Sequence, residues 1–426
     1  VFTSTGQAVT ASSNSTAKGG APLSPALLQR VQSKFVTRWE NEWGGSSLLH
    51  GKTPGPNAVR LDGNDYLGIS GHPDIVRAQV AALSGDSHYV VQSGIFHFDE
   101  HPSRTFEKTL AQWMGHEDGV LCQSGYMANV GLLQAIADEQ TPVYIDSLAH
   151  MSLWEGARAA KAPTHAFRHN DPEHLDRQLA RHGAGVVVVD SVYSTTGALC
   201  PLVQMVQVCE RHGAMIVVDE SHSLGTHGPH GAGLCVQLGL SERVQFITAS
   251  LAKAFAARAG FFTVAKHLRN YVISESFPAI FSSSLLPHEI AALHATLKVI
   301  HQADGARSAL HRSTKRLRAS LADMGYPIFQ GTEQIISLEA GEEPRTKVLR
   351  DQLEKHEVFG AVFCAPATSR NRSMVRLTLN ANLTEAELDH IEQTASRIFD
   401  VVRPDTWPIA RKAGRMRTGE PALMVA

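Results

Sequence analysis

The sequence predicts an α/β protein: a mostly parallel central sheet with helices on both faces, followed by a smaller C-terminal α+β domain. Three observations predict it. Between about residues 72 and 300, short apolar runs at 118–122, 142–146, 185–190, 214–218, 244–249 and 259–264 alternate with stretches of helical spacing, as parallel sheets covered by helices require. Beyond that stretch a shorter alternation of strands and helices follows. At 426 residues, 43% apolar and 19% charged, the chain is long enough for a large domain with a smaller partner and apolar enough to bury a core.

Residues 1–24, rich in Ser, Thr, Gly and Ala with almost no large apolar side chains, are expected to be disordered. Leu27, Leu28, Val31, Phe35, Val36, Trp39 and Trp43 recur at helical spacing, so 25–57 is expected to hold an amphipathic helical arm. A short strand and turn at 58–66 opens the large domain, 58–300. A long helical stretch near 287–324 leads into the small domain, 301–402. That domain should hold a strand at 334–339, a helix at 345–356, strands at 358–364 and 374–379, and a helix at 384–401. Thr384 followed by Glu387 marks the start of the last helix. Residues 403–426 carry prolines and basic residues without periodicity and read as a tail. No internal repeat is visible.

Composition excludes several classes of function. A net charge of −2 makes no electrostatic case for nucleic acid or an anionic membrane surface. The five cysteines, 122, 200, 209, 235 and 364, are scattered, odd in number and form no Cys-x-x-Cys pair. That usage suits reduced thiols in a cytoplasmic protein. No apolar stretch approaches the roughly 18 residues that span a bilayer, and no basic-then-apolar leader is present. The 22 histidines are a composition fact; no metal site is read from them.

Candidate chemistry gathers at the ends of the expected strands, where ligands bind in such sheets. Asp219-Glu-Ser-His222 closes the apolar run 214–218, and Lys253 follows the run Ile-Thr-Ala-Ser-Leu-Ala (247–252). A lone lysine after a strand is ordinarily solvated surface, and Asp-x-x-His alone is often a helix cap. The ordered combination suits pyridoxal phosphate (PLP), which needs an amine for a Schiff base and a carboxylate to keep its pyridine nitrogen protonated. Ser124-Gly125-Tyr126 follows a strand and opens a helix, so its backbone N–H groups would face a phosphate. His150 follows the strand ending at Asp146 and could lie flat on an aromatic ring. Ser194 follows the strand that ends at Asp190, offering a hydroxyl near that ring.

These residues resemble one family. Asn64-Asp-Tyr-Leu-Gly68, Ser124-Gly-Tyr-x-Ala-Asn129, Ala149-His150-x-Ser152, Asp219-x-x-His222 with Gly225 and Gly228, Ser250-x-x-Lys253, Phe281-Ser-Ser-Ser284 and Arg376-Leu-Thr-Leu379 occur in this order. In that order they resemble the α-oxoamine synthases, fold-type I PLP-dependent transferases that include 8-amino-7-oxononanoate and 5-aminolevulinate synthases. The resemblance spans roughly 58–400. The longer runs 149–158, 219–229 and 359–368 are similar to the branch that makes α-hydroxyketone quorum-sensing autoinducers from a medium-chain acyl-CoA and a small amino-acid donor.

The resemblance implies roles residue by residue. Lys253 would carry PLP as a Schiff base and, once freed, move the substrate's α-proton. Asp219 would hold the pyridine nitrogen, His222 would bond the phenolic oxygen and His150 would stack on the ring; these four are the catalytic set. Ser124, Gly125, Tyr126 and Ser250 would hold the phosphate, with Ser283 reaching in from a second subunit, and Ser194 would support the ring hydroxyl. Asn64 and Arg376 would engage the amino-acid substrate, Arg376 through a forked contact with its carboxylate. A homodimer with its site at the interface is implied. The reaction implied is acyl transfer from CoA to the donor's α-carbon, followed by decarboxylation to an α-aminoketone. An S-adenosylmethionine-like donor would instead lose its sulfonium group.

Departures from the family pattern sharpen the reading. The family's glycine-rich segment is replaced by Val-Gln-Ser-Gly-Ile-Phe-His-Phe (91–98), and Ser103 stands where many members carry histidine. Both changes fall where the family's substrates enter, and both favour the autoinducer branch over 8-amino-7-oxononanoate synthase or 2-amino-3-ketobutyrate CoA ligase chemistry, the alternative within the family. Ser250-Leu-Ala-Lys253 keeps a hydroxyl for phosphate. The same four residues fit the nucleophile motif of penicillin-recognising acyl hydrolases, but the partner motifs such enzymes need downstream are missing. A non-catalytic scaffold is the third reading; such proteins lose the lysine or the aspartate, and both are present here.

Overall fold

The computed structural model describes residues 21–85 and 91–410. The expected disorder over 1–24 therefore lies outside the described residues, except for 21–24, which are exposed and irregular. Among the described residues eleven strands form two sheets: β1 Val59–Leu61, β2 Asp118–Cys122, β3 Val143–Asp146, β4 Thr164–Phe167, β5 Val186–Asp190, β6 Met215–Asp219, β7 Phe246–Ser250, β8 Gly260–Val264, β9 Ile335–Gly341, β10 Val358–Phe363 and β11 Ser373–Thr378.

The larger sheet runs β2-β8-β7-β6-β5-β3-β4. Its inner pairs are parallel, and β8 alone runs against both its neighbours. All five residues of β5 are buried, as are the last four of β6, which is why both read as continuous apolar runs. β4 was not foreseen. It is an edge strand paired only with β3, and Phe167 is its one buried side chain, so Thr-His-Ala-Phe carries no strand signal of its own.

The smaller sheet runs β1-β10-β11-β9 and corrects the expected boundary at residue 58. β1 pairs in parallel with β10, Val59 opposite Val358, so this strand belongs to the smaller sheet. The preceding chain joins it there. Trp43 and Leu48 are buried with Cys364, the Trp43 indole donates to Glu343 at 2.7 Å, and Arg350 donates to the Ser47 and Leu48 carbonyls at 2.9 Å. A boundary placed from local pattern cannot register pairs some 300 positions apart.

The arm forms helices Pro25–Val31 and Thr37–Asn41 joined by a wider π turn, and Leu27, Leu28, Val31 and Phe35 stand exposed on it. The long helical stretch is two helices, Pro287–His301 and Asp304–Asp323. The expected tail is folded as far as residue 410: Trp407 is buried edge-on to Tyr326, with ring centroids 6.0 Å apart. Anchoring by one tryptophan leaves no periodicity to read. The remaining tail residues lie outside the described set.

Candidate active site

The carboxyl ends of β5, β6 and β7, the N-terminus of helix Gly125–Ile136 and residues of the smaller sheet enclose a cleft of about 1150 Å³. Asn64, Ser124, Gly125, Tyr126, His150, Ser194, Asp219, His222, Ser250, Lys253 and Arg376 all line it. Ser283 does not. It forms an antiparallel bridge with Ser93, and its carbonyl accepts from Gln123 at 2.8 Å.

Each side chain is placed by the element that carries it. Asp219 ends β6 in register with Asp190 at the end of β5. Its Oδ2 accepts from Asn129 Nδ2 at 2.7 Å and its Oδ1 from the Ser221 N–H at 2.8 Å. Asp190 accepts the His150 backbone N–H at 3.0 Å. Burial, reinforced by the Asp219 and Asp146 charges, pushes Asp190 well above the usual carboxylate range. One of two neighbouring strand-end carboxyls is thus favoured neutral.

His150 caps helix Met151–Ala159, with Nδ1 2.7 Å from Ser152 Oγ. His222 is buried; its Nδ1 is bonded to the Tyr66 hydroxyl and its carbonyl accepts from Gln334 at 2.9 Å. Burial pulls both imidazoles below their ordinary range. Lys253 sits in a tight loop after β7, closed by Ala256 N–H to Lys253 O at 2.9 Å and Leu251 N–H to Ala259 O at 2.9 Å. Burial, aided by the Arg376 charge and opposed by Asp219, lowers its amine to about 8. That amine has no hydrogen-bond partner among the described residues.

Arg376 reaches the cleft from β11 and draws the two sheets together. It donates to the Ser194 carbonyl and to Asn64 Oδ1, each at 3.0 Å, with its guanidinium 4.5 Å above the Phe363 ring. Its Nε–H is buried without a partner, and one N–H on each Nη remains unpaired for a carboxylate.

Pyridoxal phosphate fits this donor set. At Gly125 a Cβ would lie 2.5 Å from that of Ser250, so only glycine lets the helix N-terminus close on the end of β7 and form an anion cradle. The held carboxylate of Asp219, the unpartnered amine of Lys253 and the unpaired Nη–H groups of Arg376 match the cofactor and an amino-acid substrate. Two residues that contact this machinery were quoted in motifs but given no role: Asn129, bonded to Asp219, and Tyr66, bonded to His222. Their place inside Ser-Gly-Tyr-x-Ala-Asn and Asn-Asp-Tyr-Leu-Gly was the available signal. Among the described residues no cluster of His, Cys, Asp and Glu could hold a metal ion, and no helix is long and apolar enough to cross a membrane.

Comparison with known proteins agrees with the geometry. The aminotransferase class I and II family model matches residues 56–394. The chain is 47% identical over 344 residues to the CAI-1 autoinducer synthase of Vibrio campbellii, covering 81% of this chain and 87% of that one. It is 32% identical over 396 residues to an 8-amino-7-oxononanoate synthase of Anaeromyxobacter dehalogenans, covering 92% and 100%. Its fold matches a serine palmitoyltransferase of Sphingomonas wittichii with a TM-score of 0.77 and 26% identity, over 81% of this chain and 88% of that one. The chain belongs to the aminotransferase class I and II family, with the fold-type I arrangement of sheet and helices. Within it, the chain is an α-oxoamine synthase, a pyridoxal-phosphate-dependent enzyme.

Proposed function

We propose that this enzyme condenses a medium-chain acyl-CoA with a small amino-acid donor, giving an α-aminoketone precursor of an α-hydroxyketone autoinducer. The observation that carries the chemistry is the convergence of Lys253, Asp219, His150, His222 and Arg376 on one cleft. The 47% identity to the CAI-1 autoinducer synthase supports the substrate class.

When bound, PLP supplies an electron sink for the donor's α-carbon. The residues divide the remaining work. Arg376 fixes the donor's carboxylate through its free N–H groups, and Asn64 holds the guanidinium in place. Asp219, held by Asn129 and Ser221, would keep a proton on the ring nitrogen. Lys253, with its amine lowered to about 8, is neutral in a useful fraction near physiological pH and accepts the α-proton. Ser124, Gly125, Tyr126 and Ser250 hold the phosphate at the helix N-terminus.

A homodimer completes the site in this reading. Ser93 and Ser283 form a bridge, and Phe96, Phe98, Phe277 and Phe281 are exposed around it. Within one chain the Ile95–Phe98 segment does not line the cleft, so its role in substrate choice requires a second copy. If Ser283 enters the neighbouring cleft, this apolar segment travels with it. An apolar acyl tail gains about 0.8 kcal/mol per buried methylene there, whereas a terminal carboxylate would need a partner. The test is kcat/KM for decanoyl-, succinyl- and pimeloyl-CoA with a panel of donors, products being read by mass spectrometry. Decanoyl-CoA should be preferred; equal or better rates with either dicarboxylic thioester would reassign the chain to another α-oxoamine synthase activity.

A further inference from the structure

We infer that Tyr66, Ser152 and Asn129 are positioning residues that lock both cleft imidazoles, His222 and His150, as neutral Nε2–H tautomers. The cleft is then presented with two hydrogen-bond donors and no imidazole base. The inference deepens the cofactor-site reading above and rests on it for its consequences, but its geometry is in the protein alone.

For His150 the direction of every proton is forced in turn. Asn129 Nδ2 lies 2.7 Å from Asp219 Oδ2 and 2.8 Å from Ser152 Oγ. An amide nitrogen only donates, so its two hydrogens go one to each oxygen. Ser152 Oγ, having accepted, has its own hydrogen free for His150 Nδ1 at 2.7 Å, and the Ser152 backbone N–H points at the same atom from 3.3 Å. Two donors converge on Nδ1, which therefore carries a lone pair, and the ring proton sits on Nε2.

For His222 the argument is shorter. The Tyr66 side chain is fully buried, and the His222 Nδ1 is its hydroxyl's hydrogen-bond partner. Burial pushes the phenol above its ordinary range, so it stays protonated, and a buried O–H with one acceptor in reach donates to it. Nδ1 again accepts and Nε2 carries the hydrogen. Neither Nε2 has a protein partner among the described residues, and both rings line the cleft.

The chemical consequence is a division of labour. Two N–H groups suit an anionic oxygen, such as a cofactor phenolate or a substrate carboxylate. Each Nδ1 lone pair is already engaged by a hydroxyl, so the neutral amine of Lys253 is the group left to accept a substrate proton. The Asn129 bridge also ties the Asp219 charge to the His150 orientation through a single amide.

Selective 15N-histidine labelling tests this, with long-range proton–nitrogen correlations read in the cofactor-free and the PLP-loaded protein. His150→Asn and His222→Asn spectra assign the two rings. Both should show the Nε2–H pattern before and after loading. Ser152→Ala and Tyr66→Phe should each turn only their own ring into a tautomer mixture, and Ser152→Thr should restore the pattern. Tyr66→Phe should also weaken PLP binding about tenfold, as for loss of support to a bond with a charged group. An Nδ1–H pattern in the unmutated protein for either ring, or variants that leave the pattern unchanged, overturns the inference. Because the signature is read without cofactor or substrate, an error in the proposed acyl-CoA class leaves it unmoved.

Discussion

Two clusters of buried charge in this molecule have opposite designs. Beside β2, Arg104 donates to Asp118 at 2.8 and 3.1 Å and to Glu107, while Arg269 donates to Glu107 at 3.0 Å. The backbone N–H groups of Leu121 and Gly119 bond the same carboxylates at 2.8 and 2.7 Å. Two cations meet two anions, and Arg104 Nε, 3.7 Å from Asp99, is buried without a hydrogen bond. In the cleft, by contrast, among the described residues the Lys253 amine has no partner, Arg376 keeps N–H groups unpaired, and neither histidine Nε2 is hydrogen-bonded. The first cluster spends its charges on itself and serves the fold; the second withholds them. Charges left open inside a structure mark where a ligand completes the set.

Substitutions sharpen that contrast. The largest effect is expected for Lys253→Ala, which removes the amine for covalent attachment: turnover should fall at least about 10⁴-fold, as for loss of a covalent catalyst. Borohydride reduction of the unmutated protein should fix PLP on Lys253, and a label on another lysine would break the assignment. In the self-paired cluster, Arg104→Met should cost about 3–5 kcal/mol of stability, because it takes from buried Asp118 its bonded cation and leaves Glu107 with Arg269 alone. The absorbance of bound PLP should be unchanged once the variant is folded, as chemical denaturation with a spectral check would show. Asp219→Asn should keep PLP but lose about 10²–10³-fold in kcat, the scale of one preorganised electrostatic group. Near-normal turnover would mean that something else sets the ring charge.

Arg376→Lys should raise the KM of the amino donor about tenfold with a smaller change in kcat, since a point charge cannot replace a fork. The last and smallest test is of pH. Burial lowers the Lys253 amine from 10.5 to about 8. The reactive neutral form therefore appears as pH rises through about 8. Stopped-flow capture of PLP by the cofactor-free protein should accelerate over that window and level off above it; continued acceleration towards pH 10 would show a lysine free of desolvation.

Much of this was legible in the chain. The six apolar runs are strands to within two residues at their starts, and every cleft residue singled out, Ser283 apart, lines one cavity. Local spacing suffices for such features: a strand buried on both faces must be apolar throughout, and a glycine under a phosphate must sit where strand turns into helix. β4 left no such trace because one buried side chain is too little pattern. β1 read correctly as a strand and wrongly as part of the large domain, since alternation records which face is buried and not against which sheet. Ser283 could be named from its motif, but folding places it in a bridge with Ser93, outside the cleft of its own chain.

The ordered motif residues and the strand ends that carry them were thus written in the sequence, because each depends on neighbours within a few positions. Folding alone decided which polar groups meet across the cleft. Tyr66 and His222 are 156 positions apart, Asn129 and Asp219 are 90 apart, and Asn64 and Arg376 are 312 apart. A hydrogen bond depends on distance and direction in space, and a one-dimensional pattern records neither.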